Sequence, residues 1–228
     1  MRANPATRKR LPHFSRWPRS HPRRPPTRGA AHLWFIPLDQ AVDTHSLDHD
    51  ERQRAARLHP MARQRFACGR VALRAILAHY TQAEPAALRF HYNANGKPML
   101  SRPAPAFNLA HSGDFGLLAI AVEEPLGVDL EIVRPRARID ALARRVLDAD
   151  TQKALQALGG EHRLRHFLHA WTLLEATIKA HGDGLFKRTH SPQPRLARIS
   201  LEIGAVAIGA LATAEGRPPA LHCFQWRC

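Results

Sequence analysis

The chain has 228 residues, 44% hydrophobic and 23% charged, which suits one folded domain or two small ones. No run of about 18 apolar residues occurs, which excludes a membrane-spanning helix. The formal net charge is +15, but nine of the Arg and Lys residues lie in residues 1–30, which hold no acid, so +6 remains for the rest.

That first segment, with six prolines and little hydrophobic periodicity, predicts a disordered tail. It reads equally as sequence upstream of a translation start nearer Leu33. It lacks the apolar stretch of a secretory signal. An apolar strand is expected over 31–38, then helices over 47–57 and 62–80. A strand over 88–92 leads to the turn signal Asn95-Gly96, followed by Lys97-Pro98. Strands over 107–109 and 117–122 flank His111-Ser112-Gly113-Asp114, which reads as a tight loop. A further strand covers 127–132.

Helices follow over 139–146, 151–158 and 163–181, the last closed by Gly182 and Gly184. Strands are expected over 201–207 and 221–226. Helices and strands are interspersed without regular alternation, so the fold class is α+β. Three cysteines, Cys68, Cys223 and Cys228, have no metal-ligand spacing and leave one unpaired in any disulfide scheme. A reducing, cytoplasmic compartment is the simpler reading.

Chemistry concentrates in two places. In Gly127-Val128-Asp129-Leu130-Glu131 the two carboxylates leave one face of a strand whose neighbours are apolar. Buried acids must be paired or metal-bound, so they either bridge to Arg134 or Arg136 or hold a cation. Glu175 and Lys179 lie one helical turn apart and share a helix face. They form either a solvated ion pair or part of a site with the strand acids. Three carboxylates and a lysine converging would hold Mg²⁺ and a phosphorylated substrate.

The order of four motifs resembles the Sfp-type 4′-phosphopantetheinyl transferases. The strand motif above is one. The second is Trp171-Thr172-x-x-Glu175-Ala176-x-x-Lys179-x-x-Gly182-x-Gly184-Leu185. Asn95-Gly96-Lys97-Pro98 and Phe107-Asn108-Leu109-Ala110-His111-Ser112-Gly113 fall in the family's order as well. The resemblance runs from about residue 33 to about residue 201.

The resemblance implies two similar α/β halves, 31–125 and 126–228, with the active site between them. It implies Mg²⁺, with Mn²⁺ as a substitute, on Asp129, Glu131 and Glu175. It also implies coenzyme A as co-substrate, with its phosphates on His111 and Lys179, its adenine end against Lys97 and Pro98, and its 3′-phosphate on Arg65. The resemblance implies Glu175, Lys179 and His111 as the catalytic set, with the serine proton taken by Glu175 or by a metal-bound water. The implied reaction moves 4′-phosphopantetheine to a serine of an apo acyl or peptidyl carrier protein, releasing adenosine 3′,5′-bisphosphate. A monomer is expected, without membrane or nucleic-acid partners.

The chain departs from the family at Leu174, His59 and Pro60, where basic residues are usual, and at Ala110, usually serine. Arg57 or Arg63 is expected to compensate for the lost charge, and the missing serine is expected to remove one hydroxyl contact to the ligand. The competing readings are a basic nucleic-acid-associated protein and a non-catalytic relative that binds coenzyme A. Deletion of residues 1–30 is expected to leave an enzyme active and to weaken a nucleic-acid binder.

Overall fold

Apolar runs and helical stripes along the chain condense into two β–helix–β–β units. A computed structural model describes residues 7–20, 22, 24–101, 104–136, 139–182, 195–214 and 218–227. Its elements are β1 (Thr7–Leu11), β2 (Ala30–Pro37), α1 (His49–Ala56), α2 (Pro60–Thr81), β3 (Phe90–Tyr92), β4 (Pro98–Leu100), β5 (Ala106–Ser112) and β6 (Phe115–Ala121). After these come β7 (Leu126–Ile132), α3 (Ile139–Val146), α4 (Ala149–Gln156), α5 (Gly160–His181), β8 (Leu196–Ile203), β9 (Ala207–Ala214) and β10 (Ala220–Gln225).

The two units share one topology. In the first, β6 lies between β2 and β5 and is antiparallel to both. In the second, β9 lies between β7 and β8 and is antiparallel to both. Each unit therefore places its strands in the order first, third, second, with helices between the first strand and the second. This is the α+β architecture of two similar halves.

The inner faces of the two sheets pack together. Leu33, Phe35, Leu117 and Ala119 of the first meet Leu126, Val128, Leu130, Ile199, Leu201 and Leu211 of the second. Helix α2 covers the outer face of the first sheet through Cys68, Leu73, Ile76 and Leu77. Helix α5 covers the second, with Phe167 and Leu168 on Ile208, and Ala176 and Ala180 on Ala210 and Ala212. Burial of these apolar surfaces drives the assembly. No helix among the described residues is long and apolar enough to cross a membrane.

Each sheet carries one extra edge strand from the far end of the chain. β1 runs parallel to β8, so residues 7–11 extend the second sheet. β10 runs parallel to β2 and extends the first. The expected division at 125/126 is thus crossed by both ends.

The expectation of a disordered tail is corrected for residues 7–20. Phe14 and Trp17 are buried in the inter-sheet core, and Phe14 stacks on Phe35 with ring centroids 4.1 Å apart. Trp17 Nε1 donates to Pro12 O, and Gln225 N–H donates to Pro18 O. Prolines and arginines dominate the segment's composition, but its apolar residues are the ones that pack.

The second half also differs from expectation in its strands. Two strands, β8 and β9, stand where the sequence suggested one over 201–207. The sequence of β9, AIGALATA, is poor in β-branched and aromatic residues, so its propensity is low. Small residues are required there because α5 lies directly on them.

Candidate active site

Strand β7 is pressed against helix α5. A Cβ on Gly127 would collide with the Ala176 carbonyl and the Ala180 amide, so only glycine allows this approach. With Val128 and Leu130 in the inter-sheet core, Asp129 and Glu131 take the opposite face, toward the C-terminal half of α5. Lys179 Nζ donates to Asp129 Oδ1 at 2.6 Å and stands 4.0 Å from Glu175 Oε2. The structure therefore brings Asp129, Glu175 and Lys179 together, so of the two alternatives for Glu175 and Lys179 the contact is shared with a strand acid rather than confined to a solvated ion pair.

Burial raises Asp129 from 3.8 to about 6, against the lowering effect of Lys179; the charges of Glu131 and Glu175 push it further up. Burial likewise raises Glu175, opposed by Lys179. The second Asp129 oxygen, Oδ2, is buried with no hydrogen-bond partner among the described residues. Glu131 accepts from Ser112 Oγ at 2.8 Å and from Arg136 Nη2 through the same oxygen.

No three His, Cys, Asp or Glu side chains among the described residues are grouped closely enough to enclose a metal ion. Asp129 and Glu131 each hold a basic side chain instead. The donor set nevertheless fits a hard divalent cation. Its members are carboxylate oxygens close enough to repel one another, one oxygen is an orphaned acceptor, and an ammonium already sits between Asp129 and Glu175.

His111 belongs to β5 rather than to a loop, and the turn falls at Gly113-Asp114. Alternation along β5 sends Asn108, Ala110 and Ser112 toward β7 and His111 the other way. Asn108 Oδ1 accepts from Val128 N–H at 2.8 Å, and Ser112 Oγ accepts from Ile132 N–H at 3.2 Å. These two side chains join the edges of the two sheets, a role that the sequence reading missed. The hydroxyl absent at Ala110 is therefore missing from the inter-sheet face, away from His111. The histidine opens on the cleft, and desolvation by the cleft walls, then Lys179 and Arg65, lower its pKa.

Two clefts meet at His111, Gly113 and Arg134. One, of about 680 Å³, is also lined by Ser112, Glu131 and Arg136. The other, of about 560 Å³, has Leu38, Leu58, Phe66 and Leu109 beside Arg54, Arg65 and Arg70. Arg65 of this cleft donates from Nε to Asp114 Oδ1 at 2.7 Å. Arg57 and Arg63 do not serve it: Arg57 donates to Gln53 Oε1, and Arg63 to the carbonyls of Ala56 and Leu58. Arg54 and Arg134 supply the cleft's charge where Arg57 or Arg63 was expected to. Pro60 begins α2 at the position where proline is best tolerated.

Lys97 and Pro98 stand apart from His111. Lys97 Nζ donates to Glu124 Oε2 at 2.9 Å and to Leu126 O at 2.8 Å, bracing the join between the halves. Pro98 lines a separate cleft of about 460 Å³ with Met99, Phe107 and Glu124. The neighbouring Asn93 and Asn95 donate to Gly182 O at the end of α5. Gly184 and Leu185 lie outside the described residues.

Glu131, His111 and several arginines line the two meeting clefts, beside the cluster of Asp129, Glu175 and Lys179, a mixed-charge arrangement with the chemistry to bind an anionic ligand. Residues 37–123 match the family model described as 4′-phosphopantetheinyl transferase, N-terminal. Residues 125–210 match that of the 4′-phosphopantetheinyl transferase superfamily. The 4′-phosphopantetheinyl transferase HetI of Nostoc sp. is 38% identical over 166 residues, 68% of this chain and 70% of HetI. AcpT of Escherichia coli is 34% identical over 126 residues, 55% of this chain and 61% of AcpT. Sfp of Bacillus subtilis is 27% identical over 159 residues, 68% and 70% of the two chains. The chain belongs to the 4′-phosphopantetheinyl transferase superfamily.

Proposed function

We propose that the chain transfers the 4′-phosphopantetheine arm of coenzyme A to a serine of an apo acyl or peptidyl carrier protein. The observation that carries this reading is the convergence of Asp129, Glu175 and Lys179 beside Glu131 and His111, within the family's own motifs. Asp129, Glu131 and Glu175 would hold a divalent cation, Mg²⁺ or Mn²⁺, which supplies charge neutralisation at the diphosphate.

The serine oxygen forms a bond to the β-phosphorus, and the bond from that phosphorus to the bridging oxygen breaks. Adenosine 3′,5′-bisphosphate leaves with the electron pair. Glu175, made more basic by burial, accepts the serine proton. Lys179 stabilises charge on the phosphate oxygens. His111 faces the meeting point of the two clefts and donates to the same anion. Arg65, with Arg54 and Arg134, holds the nucleotide phosphates. A basic surface favours encounter with acidic carrier proteins.

The test is release of adenosine 3′,5′-bisphosphate, followed by chromatography. Release that needs coenzyme A, an apo carrier protein and Mg²⁺ together supports the reading. Release without the carrier, or none with any carrier from a folded enzyme, contradicts it.

A further inference from the structure

Strand β7 ends in a short arginine-containing segment that turns back on its own carboxylate. Arg136 Nη2 donates to Glu131 Oε2, the oxygen that also accepts from Ser112. The side chains of both partners are largely buried, at 24% and 16% exposure. The contact uses one guanidinium nitrogen. Arg136 Nε is buried and has no hydrogen-bond partner among the described residues, so the two-pronged grip of an optimal Arg–carboxylate pair is not made.

Arg134 provides an internal comparison. It lines the same cleft two residues earlier, but makes no ion pair among the described residues. Lys179 meanwhile occupies Asp129. The two acids of β7 thus carry separate resident cations, and no three carboxylates enclose a common point.

We infer that Arg136 is a displaceable counter-ion for Glu131, a positioning residue that competes with a divalent cation for this carboxylate. The inference rests on the reading of Asp129, Glu131 and Glu175 as a cation site. A bare Glu131 beside Asp129 and Glu175 would concentrate negative charge in a part-buried cleft, and a guanidinium on the same chain relieves it. A divalent ion reaching Glu131 meets that guanidinium at the same oxygen, and the two cations repel one another. Cation affinity is therefore set partly by how readily Arg136 lets go. The single-pronged contact and the orphaned Nε make release easier than from a bidentate pair.

The full chain is titrated with Mn²⁺ alone, free Mn²⁺ being read by electron paramagnetic resonance, so the measurement needs no turnover. Arg136→Gln should bind Mn²⁺ at least about fivefold more tightly, within the range typical of coupled sites. Arg136→Lys should fall between that variant and the parent. Arg134→Gln removes the same charge from the same cleft and should change the affinity by less than about twofold, as expected for an exposed charge without a partner. An Arg136→Gln affinity equal to the parent's overturns the inference. Equal tightening by Arg134→Gln also overturns it, because the effect would then be the cleft's general field. Absence of Mn²⁺ binding by all four proteins overturns the cation-site reading and this inference together. Binding that is equal in all four overturns the inference alone. Thermal unfolding of each variant establishes that the titrated proteins are folded.

Discussion

Lys179 Nζ donates to Asp129 Oδ1 across 2.6 Å, fastening the motif helix to the carboxylate strand through the groups that define the site. Asp129 is buried, and this ammonium opposes the rise in its pKa. Lys179→Met would leave a buried carboxylate without its counter-ion and remove a cation from the reacting phosphates. Transfer should fall by about 10²-fold or more, the scale of losing one preorganised electrostatic donor. A steady-state rate within a few-fold of the parent would exclude that role.

Gly127 is where strand and helix come closest. Replacing it with alanine drives a methyl into the Ala176 carbonyl and the Ala180 amide, both backbone groups that cannot rotate away. Gly127→Ala should lower stability by at least about 1–3 kcal/mol, as overpacking does. Urea unfolding reads this directly, and an unchanged midpoint would mean that β7 and α5 do not lie this close.

The N-terminal segment gives a third expectation, opposite to the one composition suggested. Phe14 is 1% exposed and stacks on Phe35. Phe14→Ala should cost about 3–5 kcal/mol, the range for truncating a buried aromatic. Deletion of residues 1–22 would uncover Phe35 and Phe115 and should destabilise the protein at least as much. A truncated chain with the parent's melting temperature would restore the reading of this segment as a solvated tail.

Stability should also fall on acidification. Burial holds His32 at about 4, with the charge of His222 acting the same way, and burial first and Arg8 second hold His169 at about 4. Both have ordinary values of 6.5, so the unfolded chain binds more protons between pH 6.5 and 4, and stability drops as the pH falls through that window. Asp129, raised from 3.8 to about 6, acts in the opposite sense below pH 6, and so does Glu175, also raised by burial, but His111, lowered by burial, joins the other two histidines, so two groups oppose three. The melting temperature should fall by at least about 5 °C from pH 7 to pH 5. His169→Gln should flatten part of that slope. A melting temperature independent of pH in this range would contradict the buried, neutral state of both histidines.

Much of the architecture was legible because it is local. The apolar stripe of α5, the strand at Asp129 and Glu131 and the turn at Asn95-Gly96 each follow from spacing within a few residues. The i,i+4 relation of Glu175 and Lys179 was legible too, but Asp129, fifty residues upstream, takes the lysine's hydrogen bond. Long-range partners of this kind leave no periodic signal. The same limit hid the parallel pairing of β1 with β8 and of β10 with β2. It also hid Asn108 and Ser112 as ties between the two sheets, although both lie in a recognised motif. Strand β9 was lost for another reason: its alanines and glycine answer to the helix above it, and packing overrides strand propensity there.

The most direct measurement of the central proposal is the intact mass of an apo carrier protein after incubation with the enzyme, coenzyme A and Mg²⁺. A parallel sample contains EDTA, and another contains the Glu175→Gln variant. The expected result is a gain of one 4′-phosphopantetheine on the carrier, abolished by EDTA and by Glu175→Gln, whose melting temperature should stay close to the parent's. An unmodified carrier with the folded parent enzyme, across both acyl and peptidyl carriers, would contradict it.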